Sequence, residues 1–254
     1  MNKLINNKTT VRSIIGSREE QQDSYIIKSS RKSIFAAVCD GIGGLMHGKI
    51  ASQTAANTLL ELYRGNPSVP PNFLFPQAVE RMDQAVCEQV HEKNGEVAAS
   101  SGSTVVAVVV SGHEMFWLSV GDSRIYHIRN RNIQQITRDH NYTRYLNELL
   151  AAGEINEEQY RREASHGSAL TSFIGMGNVK QYDFNSVPVQ LEKGDILLLT
   201  SDGLTNALND NEILDILSDS KNIRKMADSL LENVEYKNCL HQDNTTFILI
   251  YINK

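Results

Sequence analysis

Residues 34–44 read IFAAVCDGIGG, an apolar run that stops at an aspartate and a cluster of glycines. Ile34–Val38 is short and bounded by turn residues, so it reads as a buried strand that ends at Asp40 and Gly41. The arrangement recurs. Val120-Gly121-Asp122 closes the run Met115–Val120, and Thr200-Ser201-Asp202-Gly203 closes Ile196–Thr200. Asp243-Asn244 stands just before the last apolar run, Thr245–Ile252. Singly, each is ordinary turn chemistry, because Asp beside Gly suits a strand end. Four together ask for more. Central strands of stacked sheets bring their ends to one rim, where carboxylates repel one another unless a cation neutralises them. An all-oxygen set suits hard cations, magnesium or manganese, rather than zinc. Glycine beside such a carboxylate exposes a backbone carbonyl and lets substrate approach closely.

Working outward, a helix is expected over about Ile50–Tyr63. Four of the five prolines fall between Pro67 and Pro76 and mark a loop. A second helix follows, with Ala78, Met82, Ala85, Val86, Gln89 and Val90 at helical spacing. Strands come next at Thr104–Val110, Met115–Val120 and Ile125–Arg129, with turns at Ser111-Gly112 and at 130–132 into Ile133–Ile136. Residues 140–166 turn polar and helical, broken at Gly153, and read as an inserted flap. Strand Ile196–Thr200, helices Glu212–Leu217 and Ile223–Val234, and strand Thr245–Ile252 complete the chain. Strands joined by tight turns imply antiparallel sheets. Two sheets with helices packed outside is the expected architecture.

The 254 residues fit one large domain better than two, and 41% hydrophobic with 22% charged residues is ordinary for a globular protein. A net charge of -5 offers no basic face for nucleic acid. Cys39, Cys87 and Cys239 are odd in number and widely spaced, so neither a disulfide framework nor a zinc knuckle is indicated, and a reduced, cytoplasmic setting is expected. The first residues, MNKLINNKTTVRS, hold no apolar stretch of signal-peptide length, and Val105–Val110 and Phe247–Ile252 are too short to span a bilayer. Cysteine-based phosphate chemistry needs an arginine six positions after the thiol; Leu45, Lys93 and Thr245 stand there instead. His140 reads as structural and Trp117 as core. The glycines at 41–44 do not make a dinucleotide fingerprint.

Upstream lies Arg18-Glu19-Glu20-Gln21-Gln22-Asp23. Composition alone makes it a solvated charged segment, yet an arginine fork near carboxylates and metal can bind phosphate bidentately. With this segment, VCDGIGGLMHGKIAS at 38–52, Gly102-Ser103-Thr104, Gly121-Asp122-Ser123-Arg124, Thr137-Arg138-Asp139-His140, Ser201-Asp202-Gly203 and Asp243-Asn244 in order, the chain resembles the metal-dependent type 2C protein serine/threonine phosphatases, in particular their compact bacterial members. The resemblance runs from Arg18 to about Ile250. It implies a four-layer αββα sandwich of the α+β class, two antiparallel sheets flanked by helices, with the flap at roughly 140–170 and residues 1–254 as one catalytic domain. It also implies two core ions, manganese or magnesium, and a third weaker one. Asp40 would bridge the core ions, Gly41 would give its carbonyl, and Asp202 and Asp243 would complete the first. Asp122 with Asp202, joined by Ser168, would hold the third. Arg18 would grip the phosphate, with Gln22, Asp23 and Asn244 in support.

The chain departs from the family at several points. Gln22 stands where many members have glutamate, Gln21 replaces asparagine, and Ile42 occupies the place of a histidine proposed as general acid in animal members. Gly167-Ser168 lacks an arginine often seen in the flap. The implied reaction is direct hydrolysis of phosphoserine and phosphothreonine on proteins, a water bridging two ions attacking phosphorus in line, with no phosphoenzyme. The resemblance further implies a partner serine/threonine kinase and a monomer, with no nucleic-acid or membrane partner. The alternative is a catalytically silent relative that binds phosphoproteins.

Overall fold

The computed structural model describes residues 7–43, 47–91, 101–237 and 240–253. Gly44, Leu45, Lys93 and Cys239, which the sequence reading used, lie outside these residues. In chain order the elements are β1 (Lys8–Ile14), β2 (Ser24–Ser29), β3 (Ser33–Cys39), β4 (Gly41–Ile42), α1 (His47–Gly65), α2 (Pro71–His91), β5 (Gly102–Ser103), β6 (Val105–Ser111), β7 (Glu114–Val120), β8 (Arg124–Arg129) and β9 (Asn132–Gln135). Then come α3 (Tyr142–Ala151), α4 (Glu157–Glu163), β10 (Asp183–Phe184), β11 (Val189–Gln190), β12 (Ile196–Thr200), α5 (Asp202–Ala207), α6 (Asp210–Ser218), α7 (Ile223–Lys237) and β13 (Thr245–Tyr251).

Two large sheets form, with β4 and β5 as a separate two-stranded pair, and every pairing is antiparallel. One runs β1-β13-β12-β8-β9; the other runs β10-β7-β6-β3-β2, with β11 also on β7. The period-2 alternation of strand side chains sorts the core into three apolar layers. From β3, Phe35, Ala37 and Cys39 point to one side, where they join Ala51, Ala55 and Leu59 of α1 and Phe75, Met82 and Val86 of α2. Ile34, Ala36 and Val38 point the other way and meet Leu197, Leu199, Ile248 and Ile250 across the gap between the sheets. The alternate residues Leu198, Phe247 and Leu249 pack outward on Ile213, Met226 and Leu230 of α6 and α7. Helices, sheet, sheet, helices is thus the order of layers. It explains why β3, β6, β12 and β13 read as continuous apolar runs: both of their faces are buried.

Several expectations need correction. The proline segment is a loop only up to Pro70. Pro71 opens α2 at the first helical position, where its missing N–H is not needed, and the Pro70 carbonyl accepts from the Leu74 N–H. Pro76 lies inside the helix. The strands β1 and β2 were not expected. Each is a sheet edge with a half-polar sequence, KTTVRSI and SYIIKS, and β1 sends only Val11 toward the middle layer. Trp117 is half-buried at the margin of that layer rather than within it. The 130–132 turn is a tight one with Asn130 at φ 52 and Arg131 at φ 58, which suits the twist of a two-residue hairpin. In the flap, Asn141 caps α3 and Asn156 caps α4, with Gly153 at φ 73 between them. Leu146 is the buried residue of α3, and α4 has none, so the flap stands off the sandwich.

Candidate metal centre

The topology by itself collects the aspartates. β3 and β7 both pair with β6 antiparallel, so they run parallel to each other and end on the same rim with Asp40 and Asp122. In the other sheet Thr200 pairs with Phe247, so the end of β12 and the start of β13 share a rim, with Asp202 and Asp243 beyond it. All four line one cavity of about 590 Å³, together with Arg18, Gln22, Gly41, Ile42, Thr104, Ser168, Leu170, Phe173 and Asn244. Every residue implied by the resemblance lines this cavity except Asp23, which is buried at 8% exposure with one oxygen bonded by the Ser201 hydroxyl at 2.9 Å.

The site is electrostatically strained. Burial pushes the Asp40 carboxyl well above the usual carboxylate range, and Asp23, Asp202, Asp122 and Asp243 push it the same way. Burial raises Asp202, with Asp243 adding. Asp122 is pushed up to about 7 by burial, then by Asp202 and Asp139. Asp23 also rises to about 7, its burial outweighing the hydrogen bonds from Thr246 and Ser201. One carboxylate oxygen of Asp202, Oδ1, is buried without a hydrogen-bond partner, and so is Oδ1 of Asp23. Buried charged oxygens are costly unless paired. A divalent cation would pair them, and the donors on hand are oxygens throughout, which fits manganese or magnesium. Among the described residues no group of three His, Cys, Asp or Glu side chains is placed to hold one ion between them. Asp243 Oδ2 is turned to Arg18 Nη2 at 2.6 Å, and Asp202 Oδ2 to Asn206 Nδ2 at 3.0 Å. The carboxylates border the cavity rather than converge within it. That is compatible with ions held by one or two carboxylates and completed by water, as magnesium is.

The surrounding bonds show how the motifs serve the rim. Asn244 is a clasp: its Nδ2 donates to the carbonyls of Ile15 and Glu20, and its Oδ1 accepts from Gln22 N at 2.7 Å, which shapes the loop carrying Arg18. Gln21 fixes the same loop to the end of β1, donating to Ser13 Oγ and the Ile14 carbonyl. Gly41 has no room for a side chain, since a Cβ there would lie 2.2 Å from the Gly48 carbonyl oxygen. Thr104 and Ser201 were present in the motifs but without a role. Thr104 Oγ1 accepts from Asp40 N at 3.2 Å and bonds Ser123 Oγ at 2.6 Å, so it ties Asp40 to the turn that holds Asp122. Asn206 and Phe173 were missed; Asn206 lies one helical turn beyond Asp202, a spacing visible only once α5 is known to start there. His140 is structural, as expected. It is 2% exposed, Nδ1 accepts from Gly121 N, and Nε2 faces Asp183 Oδ2 at 3.2 Å. Burial lowers its pKa. Cys39 is fully buried and burial pushes its thiol up, which removes it as a nucleophile.

The protein phosphatase 2C family profile matches residues 12–242. The chain is 30% identical over 240 residues to the protein phosphatase PhpP of Streptococcus pneumoniae serotype 2, a match covering 93% of this chain and 92% of that protein. The serine/threonine phosphatase stp of Listeria welshimeri is 29% identical over 219 residues, covering 84% of this chain and 82% of that one. Of the solved structures, the serine/threonine phosphatase Stp1 from Staphylococcus aureus superposes with a TM-score of 0.81 at 27% identity, covering 100% of this chain and 98% of Stp1. The catalytic domain of the phosphatase PstP, crystallised with two manganese ions, shares the fold with a TM-score of 0.77 at 24% identity, covering 98% and 99%. With the sandwich, the rim of aspartates and this match along the chain in agreement, the chain belongs to the protein phosphatase 2C family.

Proposed function

We propose that residues 1–254 form one catalytic domain that removes phosphate from phosphoserine and phosphothreonine in proteins, with manganese or magnesium as the required ions. The observation that carries this reading is the set of four strand-end aspartates from two sheets lining a single cavity, with a buried Asp202 oxygen left unpartnered. Asp40, the Gly41 carbonyl, Asp202 and Asp243 would hold the two core ions, with Gln22 in support. Asp122 and Asp202, with Ser168, would hold a third, looser ion. When bound, the ions supply positive charge for the phosphoryl oxygens and a lowered pKa for an attacking water.

The chain's own residues do the rest. Arg18 sits exposed at the cavity margin, and the anion it now holds, Asp243, marks where its fork can meet a substrate phosphate. Asp23 backs Asp40 from beneath the rim, and Asn244 sets the loop that aims Arg18. Transfer goes directly to water. The Thr104 hydroxyl, which lines the cavity beside Asp40, is already engaged with Ser123 and with Asp40 N.

Reversible phosphorylation needs an opposing activity, so a serine/threonine kinase is the partner we assign. A monomer is the state we assign. Cys39 and Cys87 are free thiols, which supports a reducing, cytoplasmic setting. Among the described residues no helix is long and apolar enough to cross a membrane. The test is hydrolysis of a phosphothreonine peptide with and without manganese: release of phosphate that requires the metal supports the reading. A protein that binds the peptide but never releases phosphate would be a silent relative.

A further inference from the structure

A second hollow of about 510 Å³ lies beside the site, lined by Ile14, Ile15, Ser17, Val234, Glu235 and Gln242. Its volume falls within the roughly 300–1,000 Å³ of ligand pockets. Two of its lining segments pass straight into the metal-site cavity. Arg18 follows Ser17 and Asp243 follows Gln242, and both Arg18 and Asp243 line that cavity. The wall between the hollows is backbone against backbone. Ser17 N and Oγ both donate to the Gln242 carbonyl, at 2.8 and 3.0 Å. Gly16, at φ 65, lies so close that a Cβ would come within 2.5 Å of the Gln242 and Asp243 carbonyl oxygens.

The donors of Ser17 and Gln242 in this hollow are already engaged. Ser17 Oγ is spent on Gln242, and Gln242 Nε2 donates to the Gly203 carbonyl and to Thr245 Oγ1, both at 2.9 Å. What remains for an incoming group is apolar surface from Ile14 and Ile15, over a floor closed by the buried Val234, with the Glu235 carboxylate on an exposed position at the edge. Ile15 is 42% exposed, and Tyr236 and Leu240, on the chain between Glu235 and Gln242, are 87% and 86% exposed. Of these, Ile15 lies in the lining of the hollow itself, where its open apolar surface can be covered by a ligand.

We infer that this hollow takes an apolar side chain of the phosphoprotein substrate, flanking the phosphorylated residue and held beside Arg18; the inference rests on the phosphatase reading above. A wall one backbone thick is about 4.8 Å, and an extended chain advances about 3.3–3.6 Å per residue. The apolar residue therefore lies about one or two positions from the phosphorylated one. An acidic residue at that position is disfavoured by Glu235.

The probes are phosphothreonine nonapeptides on an alanine background, with leucine or glutamate placed at each flanking position in turn. The expected result is one position, on one side, where leucine raises kcat/KM about tenfold over alanine and glutamate lowers it. Ile15→Asp is expected to remove the leucine gain while hydrolysis of para-nitrophenyl phosphate, which has no flanking residues, changes less than about twofold. Leucine without effect at every position, in a protein that hydrolyses para-nitrophenyl phosphate, overturns the inference and leaves the catalytic reading standing. A leucine gain that survives Ile15→Asp also overturns it, by placing recognition elsewhere. If Ile15→Asp instead converts a dimer to a monomer in solution with the peptide profile unmoved, the hollow is a self-association face and the inference fails. Wild-type protein that hydrolyses neither kind of substrate removes both this inference and the reading on which it rests.

Discussion

Asp23→Asn should stabilise the metal-free protein at neutral pH while impairing it as an enzyme. Asp23 is 8% exposed, its Oδ2 accepts from Ser201 Oγ, and its Oδ1 has no partner. Its carboxyl is raised from 3.8 to about 7, chiefly by burial. A group whose folded pKa is raised binds more protons in the folded state than in the unfolded one between those two values. Folding stability therefore falls as pH climbs through that window and stays low above it. With about 1.4 kcal/mol per unit, the cost is about 1 kcal/mol near pH 4.5 and about 4 kcal/mol near pH 8. Asparagine keeps an acceptor for Ser201 and carries no charge to bury, so it escapes this cost. The advantage of Asp23→Asn should thus grow by about 3 kcal/mol between the two pH values. For a chain of this size that is roughly 6–12 °C in Tm. Thermal melts of both proteins in a chelator, from about pH 4.5 to 8, supply the comparison, and added manganese should narrow the gap by neutralising the wild-type cluster. Curves that run parallel with pH, with the variant less stable throughout, would show that Asp23 is ionised and well paired, and would refute the reasoning.

Three further outcomes test the assignment of roles. Asp40→Asn should fold normally yet lose more than about nine-tenths of turnover, a barrier increase above roughly 1.4 kcal/mol; a variant with near-normal turnover and a normal melt would remove Asp40 from the reaction. Arg18→Ala should raise KM more than it lowers kcat, with Arg18→Lys rescuing only in part because lysine lacks the fork; steady-state kinetics that match wild type would take Arg18 out of the site. Asp122→Ala should keep the tight manganese-binding events in calorimetry and lose a weak one, together with much of the turnover. Loss of a tight event would place Asp122 among the core ligands instead.

The layers were legible because the strands of the middle carry their pattern openly. β3, β6, β12 and β13 are runs of apolar residues with both faces buried. The edges were not legible. β1 and β2 split their few apolar residues between two layers, Val11 and Ile14 from β1, Ile26 and Ile27 from β2, among lysine, arginine, serine and threonine, so no period stood out, and β1 is held to the sandwich by partners far along the chain, such as Arg12 with Asp228. Pro71 and Pro76 were misread for a different reason. Proline signals a loop on average, but Pro71 stands at the first helical position, where its missing N–H costs nothing, and Pro76 is carried inside the helix by the packing of Phe75, Ala78 and Met82 around it.

The carboxylates were legible for the same reason as the layers. Asp202 and Asp243 meet only if Thr200 stands opposite Phe247, and that register is fixed by which side chains of β13 face which layer. Phe247 and Leu249 pack on the outer helices, while Ile248 and Ile250 fill the space between the sheets. A slip of one residue would exchange the two sets and turn the whole strand over. It would also carry Asp243 away from Asp202 and open the backbone contact between Gly16 and Gln242 that walls off the neighbouring hollow. The packing pattern of the core and the placement of the metal-site residues are therefore one constraint, and an alternation written in apolar residues is enough to position charged ones.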